Sequence, residues 1–336
     1  MDYRTDRRQA FIDWFTWSIK LEDCDSALYM TRYFFDRFEY NTEQRLWLSW
    51  LYGTTYHWPT AYVIWNEFPD MELVGVERLR DWNNENYKRL RYQTDTKWNK
   101  GHLPAQFESY KAWVGERTQK EAFMSVVNKN NQFDNFKALW EEVNSWHKFG
   151  RYSSWFYMQT LKQCCDLNID VDSLWLHDYS GSRSHRNGLC YALGRDEWVN
   201  EKLDSEQIDY LELEGRLILE EVRSKLDPEE REKADFFAME TCLCSFKKLF
   251  RTRDGRYLGY YIDRQAEEIK KVQADGWEGI DWTPLWQARE ETLDQNYLTN
   301  SISKGKMHIF MEDGIIDHHS TFTDQGGSVG LEGFMT

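Results

Sequence analysis

Along most of this chain apolar residues recur at three- and four-residue spacing, and only five prolines interrupt its 336 residues. That spacing builds amphipathic helices and disfavours strands, whose side chains alternate with a period of two. A first helix is expected from about Asp6 to Ile19, burying Phe11, Trp14, Phe15 and Ser18, and a second from Ser26 to Phe38. Asn41 and Thr42 read as cap positions before Glu43–Leu51, where Leu46, Trp47, Leu48, Trp50 and Leu51 leave almost no polar face, the mark of an interior helix. Pro59 suits the first turn of the next helix and Pro69 stops it. A stripe of Val76, Leu79, Asn83, Tyr87 and Leu90 predicts a helix between Glu72 and Arg91, followed by a polar loop over Tyr92–Pro104. Helices Phe133–His147 and Ser153–Cys165 flank a break at Gly150, and Ser205 opens another. Asp227-Pro228-Glu229-Glu230 joins a cap, a proline and two acids, predicting one more helix that buries Phe236, Met239, Leu243, Phe246 and Phe250.

The expected fold is mainly α: a multi-helix, bundle-like globule with irregular functional loops. Residues 1–300 are expected as a single α-helical domain, and 301–336 as a short C-terminal β-hairpin or mobile tail. Hydrophobic residues make up 41% of the chain and aromatics 16%, enough for a large core. Seventeen tryptophans and nineteen tyrosines also supply rings that stack on bases. A net charge of −15 argues against nonspecific coating of nucleic acid, yet the positive charge is clustered. One run is Arg78, Arg80, Lys88, Arg89, Arg91, Lys97 and Lys100; another is Lys247, Lys248, Arg251, Arg253, Arg256 and Arg264. Taken alone, either run suits a solvated helix face. The six cysteines show no CxxC spacing, so reduced thiols in a cytoplasm are expected. No apolar run approaches transmembrane length, Met1–Arg8 does not read as a signal peptide, and no membrane partner is expected.

Chemistry concentrates in a few places. Ser180–Gly188 (S-G-S-R-S-H-R-N-G) carries almost nothing apolar and reads as a loop offering hydroxyls, guanidinium forks and backbone N–H groups to a phosphate-like anion. It is not a Walker A loop. Lys148 and Arg151 flank the Gly150 break near a helix N-terminus, a ready place for an anion. Glu240, Cys244, Lys247 and Arg251 form a ridge beside the core of their helix, a pattern that salt-bridged helix flanks share. Lys97, Trp98 and Lys100 interleave base and ring as a strand-tracking surface does, although an ordinary linker looks similar. Asn66-Glu67-Phe68-Pro69-Asp70 places acids at a helix C-terminus, where they oppose the dipole; a capping turn explains them equally well. No GxSxG, HExxH, EF-hand or dinucleotide fingerprint is present, and the pair His318-His319 sits in the tail. No protein metal site is expected.

Seven stretches, E-Q-R-L-W, T-Y-H-W-P-T-A, N-E-F-P-D, Q-T-D-T-K-W-N-K-G, H-K-F-G-R-Y, S-G-S-R-S-H-R-N-G-L-C and G-Y-Y-I-D-R-Q, together resemble a bacteriophage DNA-hypermodification family. These are the α-glutamyl/putrescinyl-thymine pyrophosphorylases, clade 2, or amino acid:DNA transferases. The resemblance covers roughly Arg8 to Gln265 and leaves the tail uncovered. It implies an enzyme of the host-cell cytoplasm acting on double-stranded DNA that carries pyrophosphorylated 5-hydroxymethyluracil. The amine of an amino acid or polyamine displaces pyrophosphate and forms a C–N bond on the thymine methyl carbon. Glycine is the first expectation for that amine, with glutamate and putrescine behind it.

Under that implication each step finds nominees. Arg183, Ser184, His185, Arg186 and Asn187, with Lys148, Arg151 and Lys247, are expected to hold the leaving pyrophosphate, on which Mg2+ is a plausible companion. Glu67, Asp178, Glu240, Asp263 or His185 is the base. Arg264 meets an amino-acid carboxylate, and Lys97, Trp98, Lys100, Tyr152, Tyr260 and Tyr261 contact DNA or an extruded base. Cys190 and Cys244 raise covalent assistance at C6 of the base, against the more frequent role of free cysteine as a small buried hydrophobe. Competing readings are a helical glycosylase-like enzyme, a relative of the hydroxymethyluracil DNA kinases, a noncatalytic reader of modified DNA, and a helical protein without a DNA role.

Overall fold

The computed structural model describes residues 6–177, 183–248, 259–277 and 279–293. Among them the secondary structure is helical, with no strand. The order is α1 (Arg7–Lys20), α2 (Ser26–Arg37), α3 (Thr42–Thr55), α4 (Trp58–Glu67), α5 (Val76–Asn86), a 3-10 helix (Thr94–His102), α6 (Leu103–Val114), α7 (Gln119–Val126), α8 (Gln132–Ser145) and α9 (Arg151–Cys165). Then come α10 (Ser184–Ala192), a short 3-10 turn (Asp196–Trp198), α11 (Ser205–Ser224), α12 (Pro228–Lys233), α13 (Phe236–Phe246), α14 (Tyr260–Ala274) and α15 (Thr283–Thr292). The expected hairpin lies outside the described residues.

The chain divides into two compact units. The first takes the described parts of Met1–Ser26, Asp172–Gln265 and Leu293–Thr336; the second takes Ala27–Val171 and Ala266–Thr292. Helix α14 therefore contributes its first turns to one unit and the remainder to the other.

Helix starts follow the local chemistry. Asp6 accepts from the Gln9 N–H, and reciprocal capping boxes join Asn41 to Gln44, Thr118 to Glu121, Asp204 to Gln207 and Asp227 to Glu230. Each such cap is worth about 1 kcal/mol. In the second unit α3 is the central element: Leu46 through Thr55 are all buried. Trp47 stacks on Trp50 at 5.2 Å, and Trp50 stacks on Tyr110 at 5.1 Å. Gly53 permits the close packing of α9 on α3, because a Cβ there would lie 2.7 Å from Cδ2 of Tyr157. In the first unit α1 packs on α13, with Phe11 edge-on to Phe246 at 5.2 Å and the Trp14 indole donating to Ser245 Oγ at 3.2 Å.

Four expectations change. The helix predicted for Glu72–Arg91 is only Val76–Asn86, and Tyr87–Arg91 turns away from it. The loop predicted for Tyr92–Pro104 winds into the 3-10 helix, and Pro104 lies in the first turn of α6. The helix begun at Pro228 ends at Lys233, because Asp235 caps a new start by accepting from the Ala238 N–H. The Ser180–Gly188 loop is helical from Ser184 onward. Local polarity there suggested a loop, but packing against α13 supplies what the segment lacks in helix propensity.

Candidate active site

In the first unit α10 and α13 meet at a glycine. A Cβ on Gly188 would stand 2.3 Å from the Leu243 carbonyl oxygen, so only hydrogen fits and the two backbones approach closely. One turn earlier on α10 lie Ser184 and His185. Glu240, Cys244 and Lys247 follow one another at helical spacing along the facing side of α13 and the turn after it. His185 Nδ1 comes to 3.4 Å from Glu240 Oε1, with both side chains nearly enclosed. The Cys244 thiol approaches the same Glu240 oxygen at 3.5 Å. Lys247 Nζ donates to the Ser184 carbonyl at 3.0 Å and to its hydroxyl at 2.6 Å. A base, an acid, an ammonium and a hydroxyl thus share one helix–helix junction.

Burial dominates the thiols. It pushes Cys244 up to about 12, reinforced by Glu240 and opposed by Lys247. It pushes Cys190 up to about 11, with Arg186 opposing. Both therefore carry their protons at neutral pH, whereas addition to a base needs the thiolate.

The other polar residues of α10 hold the turn after Trp198. Arg183 Nη1 donates to the Asn200 carbonyl at 2.9 Å, and buried Arg186 reaches the Glu201 carbonyl at 3.4 Å. Asn187 and Asn200 exchange hydrogen bonds of 2.7 and 3.1 Å, with Asn200 in the left-handed region at φ 68°. Asp178 lies outside the described residues, as does Arg251.

A second acidic group in this unit surrounds the start of α14. Asp23, absent from the sequence nominees, is buried and accepts the backbone N–H groups of Tyr261 (2.8 Å) and Ile262 (3.1 Å) through Oδ1. Burial, with the Asp263 charge adding to it, raises its carboxyl to about 7 despite those hydrogen bonds. Asp263 is buried as well, and Tyr260 stands edge-on to Tyr261 at 5.3 Å. Arg264 follows on the same helix. No local sequence signal marks Asp23, whose partners stand 238 and 239 residues away.

The remaining nominees belong to the second unit. Within T-Y-H-W-P-T-A and Q-T-D-T-K, the polar atoms of Thr55, His57, Thr60, Gln93 and Thr96 bond to other parts of this unit. His57 Nδ1 accepts from the Thr60 N–H at 3.3 Å, and Thr60 Oγ1 donates to the Arg91 carbonyl at 2.8 Å. Thr96 Oγ1 donates to the Thr55 carbonyl at 2.8 Å. His57 Nε2 then faces the Glu268 carboxylate at 3.9 Å, and Gln93 donates to the same carboxylate. This buried clasp fixes the path of the chain around α4.

Glu67 is partly exposed and pairs with Arg78 at 2.7 Å. E-Q-R-L-W and N-E-F-P-D meet beside a cavity of about 350 Å³ whose lining includes Glu43, Trp47, Asp70 and Glu72 and no basic side chain. Pyrophosphate is a poor fit there. Arg151 is buried over the Trp155 ring at 5.2 Å, and Tyr152 stands edge-on to Tyr56 at 5.4 Å. Lys148 is exposed, with a left-handed φ of 62°. Trp98 is 76% exposed, and Lys97 Nζ lies 4.9 Å from its ring. Among the described residues no group of three or more His, Cys, Asp or Glu side chains is placed to hold a metal, and no helix is long and apolar enough to cross a membrane.

A helical scaffold that encloses an acid–base pair beside an ammonium group, and displays an aromatic–basic surface elsewhere, suits a group-transfer enzyme with an anionic substrate. The family profile described as amino acid:DNA transferase matches residues 24–255, and the chain belongs to that family. It is also 28% identical over 298 residues to a protein of Salmonella phage ViI named serinyltransferase, spanning 82% of this chain and 72% of that one. No solved structure matches. The protein is thus a mainly α transferase whose substrates are DNA and an amino acid. The matched span contains the α10–α13 junction and stops short of G-Y-Y-I-D-R-Q at 259–265.

Proposed function

We propose that the α10–α13 junction is where pyrophosphate is displaced from 5-(pyrophosphoryloxymethyl)uracil in double-stranded DNA. The observation that carries this reading is the convergence of His185, Glu240, Ser184 and Lys247 on one side of the Gly188 contact. In the step, the bond from the exocyclic methylene carbon to the pyrophosphate oxygen breaks. A new bond forms from that carbon to the amino nitrogen (or, for serine, the side-chain oxygen) of the co-substrate. The nucleophile's proton goes to His185, which Glu240 orients through Nδ1, and the electron pair leaves on pyrophosphate. Lys247 and the Ser184 hydroxyl meet the charge developing on the leaving oxygens, with Arg183 at the rim. A magnesium ion, in this reading, would be carried by the pyrophosphate and would neutralise part of its charge.

The name of the Salmonella phage ViI relative makes serine the first co-substrate to test, ahead of glycine, glutamate and putrescine. The assay incubates the protein with pyrophosphorylated hydroxymethyluracil DNA and each of these compounds, then identifies nucleosides by mass. The expected product is a nucleoside carrying the co-substrate together with released pyrophosphate. Free base or an abasic site would instead identify a glycosylase. Folded protein that yields no adduct with any of the four would overturn the proposal.

A further inference from the structure

On the second unit, a pair of histidines far apart in sequence comes together at the surface. His102 closes the 3-10 helix, and His147 lies just beyond α8, where its backbone N–H donates to Ser109 Oγ at 3.0 Å. His102 Nδ1 and His147 Nε2 are 3.4 Å apart, and the rings are tilted by 48° with centroids at 5.4 Å. Both side chains are exposed, as is neighbouring Lys148. The 3-10 helix that carries His102 also carries Lys97, Trp98 and Lys100.

We propose that His102 and His147, with Lys148 beside them, form a phosphate-binding pair that grips the DNA backbone and tightens as the pH falls. The inference rests on DNA being the substrate and not on the pyrophosphate chemistry of the first unit. Two ring nitrogens at this separation share one proton comfortably. When both rings are charged they repel, and an oxyanion that accepts an N–H from each removes the repulsion. Binding of a phosphodiester therefore draws a proton onto the pair.

The neighbouring charges agree. His147 is held below the ordinary imidazole value by partial burial, by His102 and by Lys148, and an incoming phosphate would offset the two charge effects. Lys100 is lowered by burial and by Arg91, with Asp275 opposing. Glu142 of α8 accepts from the Trp113 indole at 3.0 Å, and Arg80 pairs with Glu77. In a chain of net charge −15, exposed Lys148 stands next to His147 in the sequence.

Phosphate groups reach this enzyme from two sources, the DNA backbone and the released pyrophosphate, and the test separates them. The full-length protein is titrated with a short unmodified duplex at about pH 6 and about pH 8 over a range of salt, with the His102 and His147 ring signals followed by NMR. The expected result is roughly tenfold tighter duplex binding at the lower pH, with the His147 ring pKa rising on binding. In the double variant His102→Asn, His147→Asn the pH dependence disappears and the salt slope falls by about one. An unchanged melting temperature shows that the variant is folded. A double variant with wild-type pH and salt dependence would overturn the proposal. So would inorganic pyrophosphate shifting these rings at concentrations where the duplex does not. Either failure leaves the adduct assay of the first unit standing, and a failed adduct assay leaves the duplex titration standing.

Discussion

The α10–α13 junction and the His102–His147 surface use nearly the same side chains to different ends. In the first unit His185, Glu240 and Lys247 are drawn in between two helices, each at hydrogen-bonding or ion-pairing distance from a named partner. In the second unit His102, His147, Lys97 and Trp98 face solvent. Enclosure strengthens electrostatics and fixes geometry, as chemistry on a leaving group requires. Exposure leaves charges hydrated and rings free to stack, which suits a long polyanion with no fixed register. On the two proposed roles, the local setting, and not the residue type, would divide reacting groups from gripping ones.

The largest expected effect breaks the enclosed half. His185→Asn, or Glu240→Gln, is expected to lower kcat by about 10²–10⁴-fold, with far less effect on the affinity for DNA. Single-turnover rates set beside duplex Kd values measure this, and an equal loss in both would return the pair to a packing role. Next in size is Gly188→Ala, where a methyl group meets backbone and not a flexible side chain. A loss of about 1–3 kcal/mol is expected from overpacking, read as a lower melting temperature together with lost turnover. Retained stability and turnover would show that α10 and α13 have room to separate.

On the exposed half, Trp98→Ala is expected to leave the melting temperature alone and to weaken binding of single-stranded or base-flipped DNA by about 1–3 kcal/mol. A lower melting temperature with unchanged Kd would make Trp98 a structural residue. The smallest effect concerns Asp23, whose carboxyl is raised from 3.8 to about 7. Between those values the folded protein holds a proton that the unfolded chain has released, so this group's contribution to stability falls as the pH rises through the window. Asp23→Asn keeps an oxygen acceptor for the Tyr261 and Ile262 N–H groups while removing the titration. Melting temperatures recorded from about pH 5 to about pH 8 should therefore fall less steeply in the variant. An identical slope would place the titration elsewhere.

Helix starts were legible because capping chemistry is local. Asn41, Asp204 and Asp227 each reach only three residues ahead. The end of the helix begun at Pro228 was not legible, since the new cap at Asp235 lies inside a continuous helical pattern. The S-H-R-N-G segment was legible as chemistry but misread as a loop, because its helix depends on a close approach to Leu243 that only the paired helices reveal. His57 read as part of a motif, yet its neighbours consume it in a buried clasp.

By itself the sequence determined the helical class, most helix starts, the thiol-rich but framework-free cysteine set and the resemblance to the amino acid:DNA transferases. The first three depend on periodicity, capping and composition, and the resemblance rests on seven short stretches of sequence. Only the tertiary structure decided that His185 belongs with Glu240, that Lys247 closes on Ser184, that Asp23 caps a helix more than 230 residues away, and that His102 finds His147. Such pairings depend on how helices pack, and packing is set by steric fit between distant segments. A missing Cβ at Gly188 decides one of them, and no local pattern encodes that contact.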